Sequence, residues 1–337
     1  MSFAIEAAGF AGAIEMEQTM KNRASREHRR SHLRGAVLGA LLALAAVLVA
    51  RPGLASEAKT FPTSQAAAQA LVAAVKSGDK DAILAVLGSD AQDIVSSGDP
   101  VQDKESAEKF ATSAQQMMRV DQTADGIDIM SLGTDDWPFP IPIVKGKDGW
   151  FFDTLAGKQE LLNRRIGENE LDTIDTARAY VDAQREYFSE LHDGSEVMKY
   201  AEKLISSDGK HDGLYWPPKD GEAVSPFGPL VAEAQEEGYG KKGAPYHGYY
   251  YRVLTAQGKA APGGAYNYII NGNMIAGFAL VAYPAQYASS GVMTFIVNQQ
   301  GVVYQKDLGL KTEALAKAMK IYNPDPSWQK VPPADNQ

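Results

Sequence analysis

The 337-residue sequence contains no cysteine. This absence excludes disulfide bonds, thiolate metal ligands and cysteine nucleophiles, and it fits an exported protein whose stability rests on core packing. Positive charge is also in short supply. The formal net charge is −9 at pH 7, and residues 1–55 carry a net of +3, which leaves −12 for the remainder. An acidic surface argues against a nucleic-acid partner, since phosphate binding needs concentrated positive charge.

Histidine is scarce, and beyond residue 55 only His192, His211 and His247 occur. No two of them have the i, i+4 spacing or the HExxH context of a zinc site. The sequence also lacks the GxSxG and P-loop motifs. We therefore predict no metal, no cofactor and no catalytic residue. The alternative is a hydrolase whose site is assembled from distant residues, with one of these histidines beside a serine or a carboxylate in a cleft.

One group of acidic residues resembles a cation site. Asp121, Asp125 and Asp128 surround Gly126, but the stretch lacks the terminal acidic ligand of a calcium-binding loop. The pattern therefore favours a turn with solvated carboxylates.

The first part of the chain has the organisation of a secretory leader. Residues 21–34 are basic, residues 35–50 (GAVLGALLALAAVLVA) are apolar, and Gly53 and Ala55 are small. This order predicts a signal peptide cleaved after Ala55 and an exported protein, periplasmic or envelope-associated. The alternative is an uncleaved anchor, although 16 helical residues extend only about 24 Å, which is short for a bilayer core. Met16 or Met20 is an alternative start.

The chain beyond the leader predicts an α+β fold. For residues 60–168 we expect helices followed by a small curved antiparallel sheet of cystatin- or NTF2-like type. The predicted elements are helices Gln65–Lys76, Asp81–Leu87 and Lys104–Met118 and strands Asp128–Leu132, Ile141–Lys145 and Trp150–Asp153. Thr63 or Ser64 is the expected N-cap of the first helix.

For residues 172–322 we predict a long helix packed on an antiparallel meander, followed by a polar tail over 323–337. The helix is expected to begin at Asp172–Asp175, after a separate helix over 155–166. A further helix is predicted over Glu196–Ile205 and a strand over Tyr246–Ala256. The meander comprises apolar runs at Phe278–Tyr283 and Val292–Val297 and a hairpin at Asn298–Gly301. This arrangement resembles, in architecture only, the globular part of type IV pilin-like proteins.

Aromatic residues give the candidate contact surfaces. If one face of the Tyr246–Ala256 strand is exposed, its rings are suited to stacking on a glycan or on another envelope protein. The predicted contact residues are Trp216, His247, Tyr249 and Tyr251, and core packing is the favoured alternative for them. A second hypothesis is a small-ligand site in the concave first sheet, lined by Trp137, Trp150 and Phe152.

Five sequence blocks resemble those of an exported bacterial family known as domain of unknown function 2950. The blocks are DWPFPIP from Asp136, GWFFD from Gly149, AYVDAQREY from Ala179, DGLYWP from Asp212 and GVMTFIVN from Gly291. The resemblance implies an envelope-associated protein without an established activity, cofactor or catalytic residue. Together with the missing motifs, it favours a non-enzymatic binding or interaction module.

Overall fold

The computed structural model describes residues 58–122, 127–219, 224–239 and 243–332. The predicted leader, the cleavage site after Ala55 and the alternative starts lie outside these ranges and stay predictions. Within them the chain is an α+β protein, as predicted. The helices are α1 Ser64–Ser77, α2 Lys80–Leu87, α3 Gln92–Val95, α4 Pro100–Gln116, α5 Thr154–Phe188, α6 Gly228–Glu236 and α7 Thr312–Ala318.

The strands are all paired antiparallel. The first sheet is formed by β1 Met118–Gln122, β2 Ile127–Leu132, β3 Trp137–Pro138, β4 Ile143–Lys145 and β5 Trp150–Phe152. The second sheet is formed by β6 Tyr249–Leu254, β11 Ala279–Pro284, β12 Met293–Asn298, β13 Tyr304–Asp307 and β14 Gln329–Lys330. Two short pairs complete the set: β7 Ala256–Gln257 with β8 Tyr266–Asn267, and β9 Ile269–Ile270 with β10 Asn273–Met274.

Helix starts follow capping side chains that satisfy N–H groups left open in the first turn. The Thr63 hydroxyl accepts a hydrogen bond from the N–H of Ala66 at 3.0 Å and caps α1, as predicted. Asp79, Asp99 and Asp153 cap α2, α4 and α5 in the same way. Pro100 occupies the first turn of α4, where its missing N–H costs nothing.

The first sheet has the strand order β1-β2-β4-β5, with β3 paired to β2. Its core is closed by the apolar faces of α1 and α2, including Leu71 and Val86. One expectation for this sheet was wrong, because Asp128 is not solvated. It is 1% exposed in β2, and neither of its carboxylate oxygens accepts a hydrogen bond within the described part of the chain.

Helix α5 runs for 35 residues without a break. The sequence predicted two helices here, and the predicted domain boundary at 168–172 lies inside the single helix. The first turns of α5 pack on the first core, where Gly157 lies against the backbone of Pro140 and Ile141. Its later turns supply Ala177, Tyr180 and Val181 to a second core, among other side chains. The division into two domains stays a prediction.

The second sheet has the strand order β14-β13-β12-β11-β6. All six residues of β11 are buried, as expected for a strand covered on both faces. The predicted hairpin is confirmed, since Gly301 has φ 76° and its N–H donates to the carbonyl of Asn298 at 2.8 Å. Strand β14 lies within the predicted polar tail and extends this sheet.

Two predicted elements were wrong. Residues 196–205 are irregular and do not form a helix. Strand β6 begins at Tyr249 and not at Tyr246, because residues 246–249 form a turn. In the described ranges, no helix combines the length and the apolarity required to cross a bilayer.

Candidate functional site

Residues 189–219, which follow α5, form no helix and no named strand, and we call them the irregular segment. Its fold depends on a few backbone contacts: Ile205 and Tyr215 form a bridge, the N–H of Ser206 donates to the carbonyl of Tyr215 at 2.8 Å, and the N–H of Leu214 donates to the carbonyl of Lys203 at 3.0 Å. Long connections without helix or strand are uncommon in compact proteins and are usually functional. This segment is therefore the first candidate contact surface.

An aromatic column joins the irregular segment to the end of α5. The ring of Tyr187 stacks on His192 with centroids 3.8 Å apart, and His211 stacks on Trp216 at 4.3 Å. Trp216 also meets His192 at 5.7 Å. The Tyr187 hydroxyl donates to the carbonyl of His211 at 2.6 Å. Two of the three histidines beyond residue 55 thus serve packing in this column.

A half-open cleft of about 220 Å³ opens beside this column. Its lining comprises two tyrosines and four charged residues: Tyr187, Lys199, Tyr200, Glu202, Lys203 and Asp212. We call it the Tyr187–Tyr200 cleft. The Tyr200 ring is held in place because it stacks on Phe188 at 4.4 Å and meets the edge of Phe278 at 4.8 Å.

Two of the four charges in the cleft neutralise each other. The Lys203 ammonium lies 2.7 Å from the Asp212 carboxylate and also donates to the Ser207 hydroxyl at 2.8 Å. Although desolvation works to raise the pKa of Asp212, hydrogen bonds from Lys203 and Ser207 lower it to about 2. Lys199 and Glu202 make no hydrogen bond or ion pair with the described residues. The cleft therefore presents one open ammonium and one open carboxylate.

Apolar side chains of the irregular segment are exposed next to these charges. Val197 is 42% and Met198 45% exposed, and Leu191 and Ile205 are exposed as well. The N–H of Tyr200 donates to the carbonyl of Met274 at 2.8 Å, which fixes this stretch against the second core. Exposed apolar side chains on a fixed backbone are typical of contact surfaces.

The third histidine, His247, lies in a separate cluster. The sequence predicted that His247 shares a strand face with Tyr249 and Tyr251. In the structure it lies instead in the tight turn before β6, with φ 47°. Its Nδ1 lies 3.6 Å from the Asp172 carboxylate of α5 and its Nε2 lies 3.3 Å from the Glu237 carboxylate at the end of α6. The imidazole thus lies between two carboxylates, one beside each ring nitrogen.

Tyrosines and a buried aspartate surround His247. The ring of Tyr246 lies 4.1 Å and that of Tyr239 5.6 Å from the imidazole, measured between centroids. Burial raises the pKa of Tyr239, and the nearby Asp99 carboxylate raises it further. Burial also raises the pKa of Tyr246, with a contribution from Glu237. Both phenols therefore stay protonated at ordinary pH.

A buried polar network lies below this cluster and connects four parts of the chain. Asp99 is 1% exposed and accepts hydrogen bonds from the Tyr239 hydroxyl at 3.1 Å and the Gly248 N–H at 2.9 Å. The Asn169 amide of α5 bonds to the Gln102 amide and donates to the carbonyl of Ser290 at 2.7 Å. A Cβ on Gly248 would lie 2.4 Å from the Asn169 amide nitrogen, so only glycine fits there.

The predicted contact residues differ in how far the structure exposes them to solvent. Tyr249 is fully buried and Trp216 is 5% exposed, so both belong to the core and not to an exposed aromatic face. His247 and Tyr251 are partly exposed, and the Tyr251 hydroxyl lies 3.3 Å from that of Thr173. The candidate contact surface is therefore the irregular segment and not strand β6. Trp216 belongs to this segment but is buried under it.

Aromatic side chains pack against one another in the core of the first sheet. Phe139 meets Phe110 at 5.5 Å, Trp137 at 6.1 Å and Phe152 at 6.2 Å, each edge to face. Trp137 and Trp150 pack against this core with partial exposure. Of the rings proposed to line a small-ligand site, Trp137 and Phe152 thus contact Phe139 and contribute to core packing.

The sequence did not single out Asp99, Asn169 or Glu237. Their partners lie far along the chain, and no local spacing marks them. Across the described ranges, no group of three or more His, Asp and Glu side chains is arranged to hold a metal ion.

Comparisons with known proteins give one match. A model of the family described as "Protein of unknown function (DUF2950)" matches residues 58–331. A search of curated proteins found no match, and neither did a search of solved structures. The pilin-like and cystatin- or NTF2-like architectures therefore stay predictions. Because the match covers most of the chain, this protein belongs to the DUF2950 family of proteins of unknown function.

Proposed function

We propose that this protein is an exported, envelope-associated binding module whose contact surface is the irregular segment. The observation that carries the proposal is the pairing of an aromatic column below the segment with exposed apolar and charged side chains above it. A backbone fixed in advance loses little conformational entropy on binding. The basic and apolar leader pattern over residues 21–55 supports export.

The chemistry of the surface fits recognition of another molecule. The apolar side chains of Val197 and Met198 can be buried by a partner, while the adjoining Tyr187–Tyr200 cleft offers charges of both signs. Interfaces commonly combine an apolar centre with a polar rim. The partner class is an envelope protein or a glycan.

Site-specific photo-crosslinking in a Gram-negative host tests this proposal. A photoreactive residue is placed at Val197 or Met198 in the full chain, and Leu310 serves as the control because it is 93% exposed but lies outside the irregular segment. We expect a defined crosslinked species from the first two positions and none from Leu310. Equal crosslinking at all three positions, or at none, would contradict the proposal.

Export is tested with the same strains by fractionation. We expect the protein in the periplasmic or envelope fraction with a mature N-terminus at Ser56. Recovery of the protein only from the cytoplasm would overturn this part of the proposal.

A second function, hydrolysis, is favoured by one observation: the His247 imidazole has a carboxylate at 3.3 Å. A general base needs such an orienting acid. In this structure, however, a second carboxylate faces the other ring nitrogen. Assay of the purified protein on a panel of model esters decides the matter, since activity that His247→Asn abolishes supports hydrolysis and activity unaffected by it refutes a role for this site.

A further inference from the structure

We propose that the Tyr187–Tyr200 cleft binds an α-amino acid headgroup, in which one carbon carries both an ammonium and a carboxylate. The inference goes beyond the proposed function, because it adds a small-molecule ligand for the cleft that adjoins the proposed contact surface. It starts from the two charged side chains of the cleft that have no partner among the described residues, Lys199 and Glu202.

Lys199 and Glu202 line the same cleft and do not pair with each other or with another described residue. Lys203 and Asp212, in contrast, form a closed pair at 2.7 Å that is further fixed by Ser207. The closed pair has little to offer a ligand. The open pair offers a donor for a carboxylate and an acceptor for an ammonium, each as a charge-assisted hydrogen bond.

The sum of these charges favours a ligand without net charge. Two ammonium groups and two carboxylates line the cleft, so their formal charges cancel. A phosphate would face the carboxylates of Glu202 and Asp212, and a simple cation would face the two lysines. A zwitterion meets one opposite charge at each end, which makes it the matching class.

Aromatic rings define the remaining wall of the cleft. Tyr200 is fixed between Phe188 and Phe278, and Tyr187 is fixed by its stack on His192. The Tyr200 hydroxyl makes no hydrogen bond within the described residues, so it is available to a bound polar group. A volume of about 220 Å³ is smaller than the roughly 300–1,000 Å³ of drug-sized sites and suits a single residue.

The test uses three related probes and nuclear magnetic resonance titration of the mature protein. The probes are L-leucine, N-acetyl-leucine, which lacks the ammonium, and leucinamide, which lacks the carboxylate. We expect L-leucine to bind at least tenfold more tightly than either blocked form and to shift resonances of Tyr187 and Tyr200.

Two variants test separately the residue assigned to each end of the ligand. Lys199→Gln should abolish the advantage of leucine over leucinamide, while Glu202→Gln should abolish its advantage over N-acetyl-leucine. Lys210→Gln, an exposed lysine of the same segment, is the matched control and should leave all three affinities unchanged. Thermal unfolding of each variant confirms that the fold is retained.

Several outcomes would overturn the inference. These are no binding of leucine, binding of N-acetyl-leucine or leucinamide as tight as that of leucine, and loss of leucine binding in Lys210→Gln. Crosslinking from Met198 separates this inference from the proposed function. If the crosslinks persist while leucine does not bind, the ligand class is wrong and the contact surface stands, whereas loss of both refutes both.

Discussion

Asp99 accepts a hydrogen bond from the backbone N–H of Gly248 at 2.9 Å, across 149 residues of chain. The same oxygen accepts from the Tyr239 hydroxyl, and the other oxygen caps α4 through the N–H groups of Val101 and Gln102. One buried carboxylate thus holds a helix start, the turn of His247 and the end of the α6 region together.

Replacement of this carboxylate should be costly. Asp99→Ala is expected to lower the free energy of unfolding by about 3 kcal/mol or more, because it removes a helix cap and leaves a buried N–H and a buried hydroxyl unsatisfied. Asp79→Ala is the matched control, since Asp79 caps α2 in the same way but is exposed. Its expected cost is about 1 kcal/mol. If urea-induced unfolding gave the same loss of free energy of unfolding for Asp99→Ala and Asp79→Ala, the stabilising role of the buried Asp99 would be contradicted.

Replacing two glycines of α5 by alanine, one at a time, should change the free energy of unfolding in opposite directions. A Cβ at Gly157 would lie 2.3 Å from the carbonyl oxygen of Pro140 and 2.5 Å from Cα of Ile141, which are backbone atoms that cannot move aside. Gly157→Ala should therefore destabilise the protein by about 2–3 kcal/mol. A Cβ at Gly167 meets nothing within 4 Å, and Gly167→Ala should stabilise by about 0.5–1 kcal/mol through helix propensity. Thermal unfolding is the measurement. If both variants raised or both lowered the stability of the protein, the close packing at Gly157 would be refuted.

The His247–Glu237 contact should show measurable coupling. His247→Asn removes the imidazole but tolerates the positive φ of 47°. In a double-mutant cycle with Glu237→Gln, we expect a coupling energy of about 1–2 kcal/mol at pH 6, because both side chains are mostly buried. The exposed Asp175–Arg178 pair of α5 is the control, with an expected coupling below about 0.5 kcal/mol. Similar values for the two cycles would exclude a special role for the His247 cluster.

The Lys203–Asp212 pair predicts an acid-sensitive contribution to stability. The folded-state pKa of Asp212 is lowered from 3.8 to about 2, so its contribution is complete above the unfolded value and is lost as the pH falls from about 4 towards 2. Asp212→Asn should cost on the order of 1 kcal/mol at pH 7 after solvent screening, and the difference from wild type should shrink below pH 4. Asp208→Asn, an exposed aspartate of the same segment outside the Lys203–Asp212 pair, is the matched control. A difference for Asp212→Asn that is constant from pH 3 to pH 7 would contradict this.

The buried carboxylate of Asp128 should weaken the first core. Neither of its oxygens has a hydrogen-bond partner in the described ranges, and its neighbours on the same face of β2 include Met130 and Leu132. Asp128→Val is expected to raise the free energy of unfolding by about 1–3 kcal/mol, and Asp128→Asn should give a smaller increase. Destabilisation by both variants would show that the carboxylate is required where it is.

Local patterns predicted much of the fold but little of the candidate site. Helices α1, α2 and α4, the Thr63 cap and the meander depend on neighbours within a few residues, so they are identifiable from the sequence, as is the Asn298–Gly301 hairpin. The continuous helix α5 was missed because Asp172 resembles a helix start. In the structure Asp172 lies in the middle of the helix, where its carboxylate faces His247.

The site was missed for a different reason. Asn169 and Gln102 are 67 residues apart in the chain, and no periodicity links them. The apolar residues of 196–205 suggest a helix, but Tyr200 and Leu204 are partly buried through contacts with the second core, and this tertiary packing overrides the local preference. Trp216, which was predicted as a contact residue, lies in the irregular segment but is 5% exposed and packs in the second core.

Helix α5 carries Tyr187 of the cleft near one end and Gly157 near the other, about 45 Å apart at 1.5 Å per residue. Because Gly157 packs closely against the backbone of Pro140, helix α5 cannot shift along its axis without a steric clash. Packing therefore holds both sides of the cleft, Tyr187 through helix α5 and Tyr200 through Phe188 and Phe278, so a bound molecule has to match a shape that is already set.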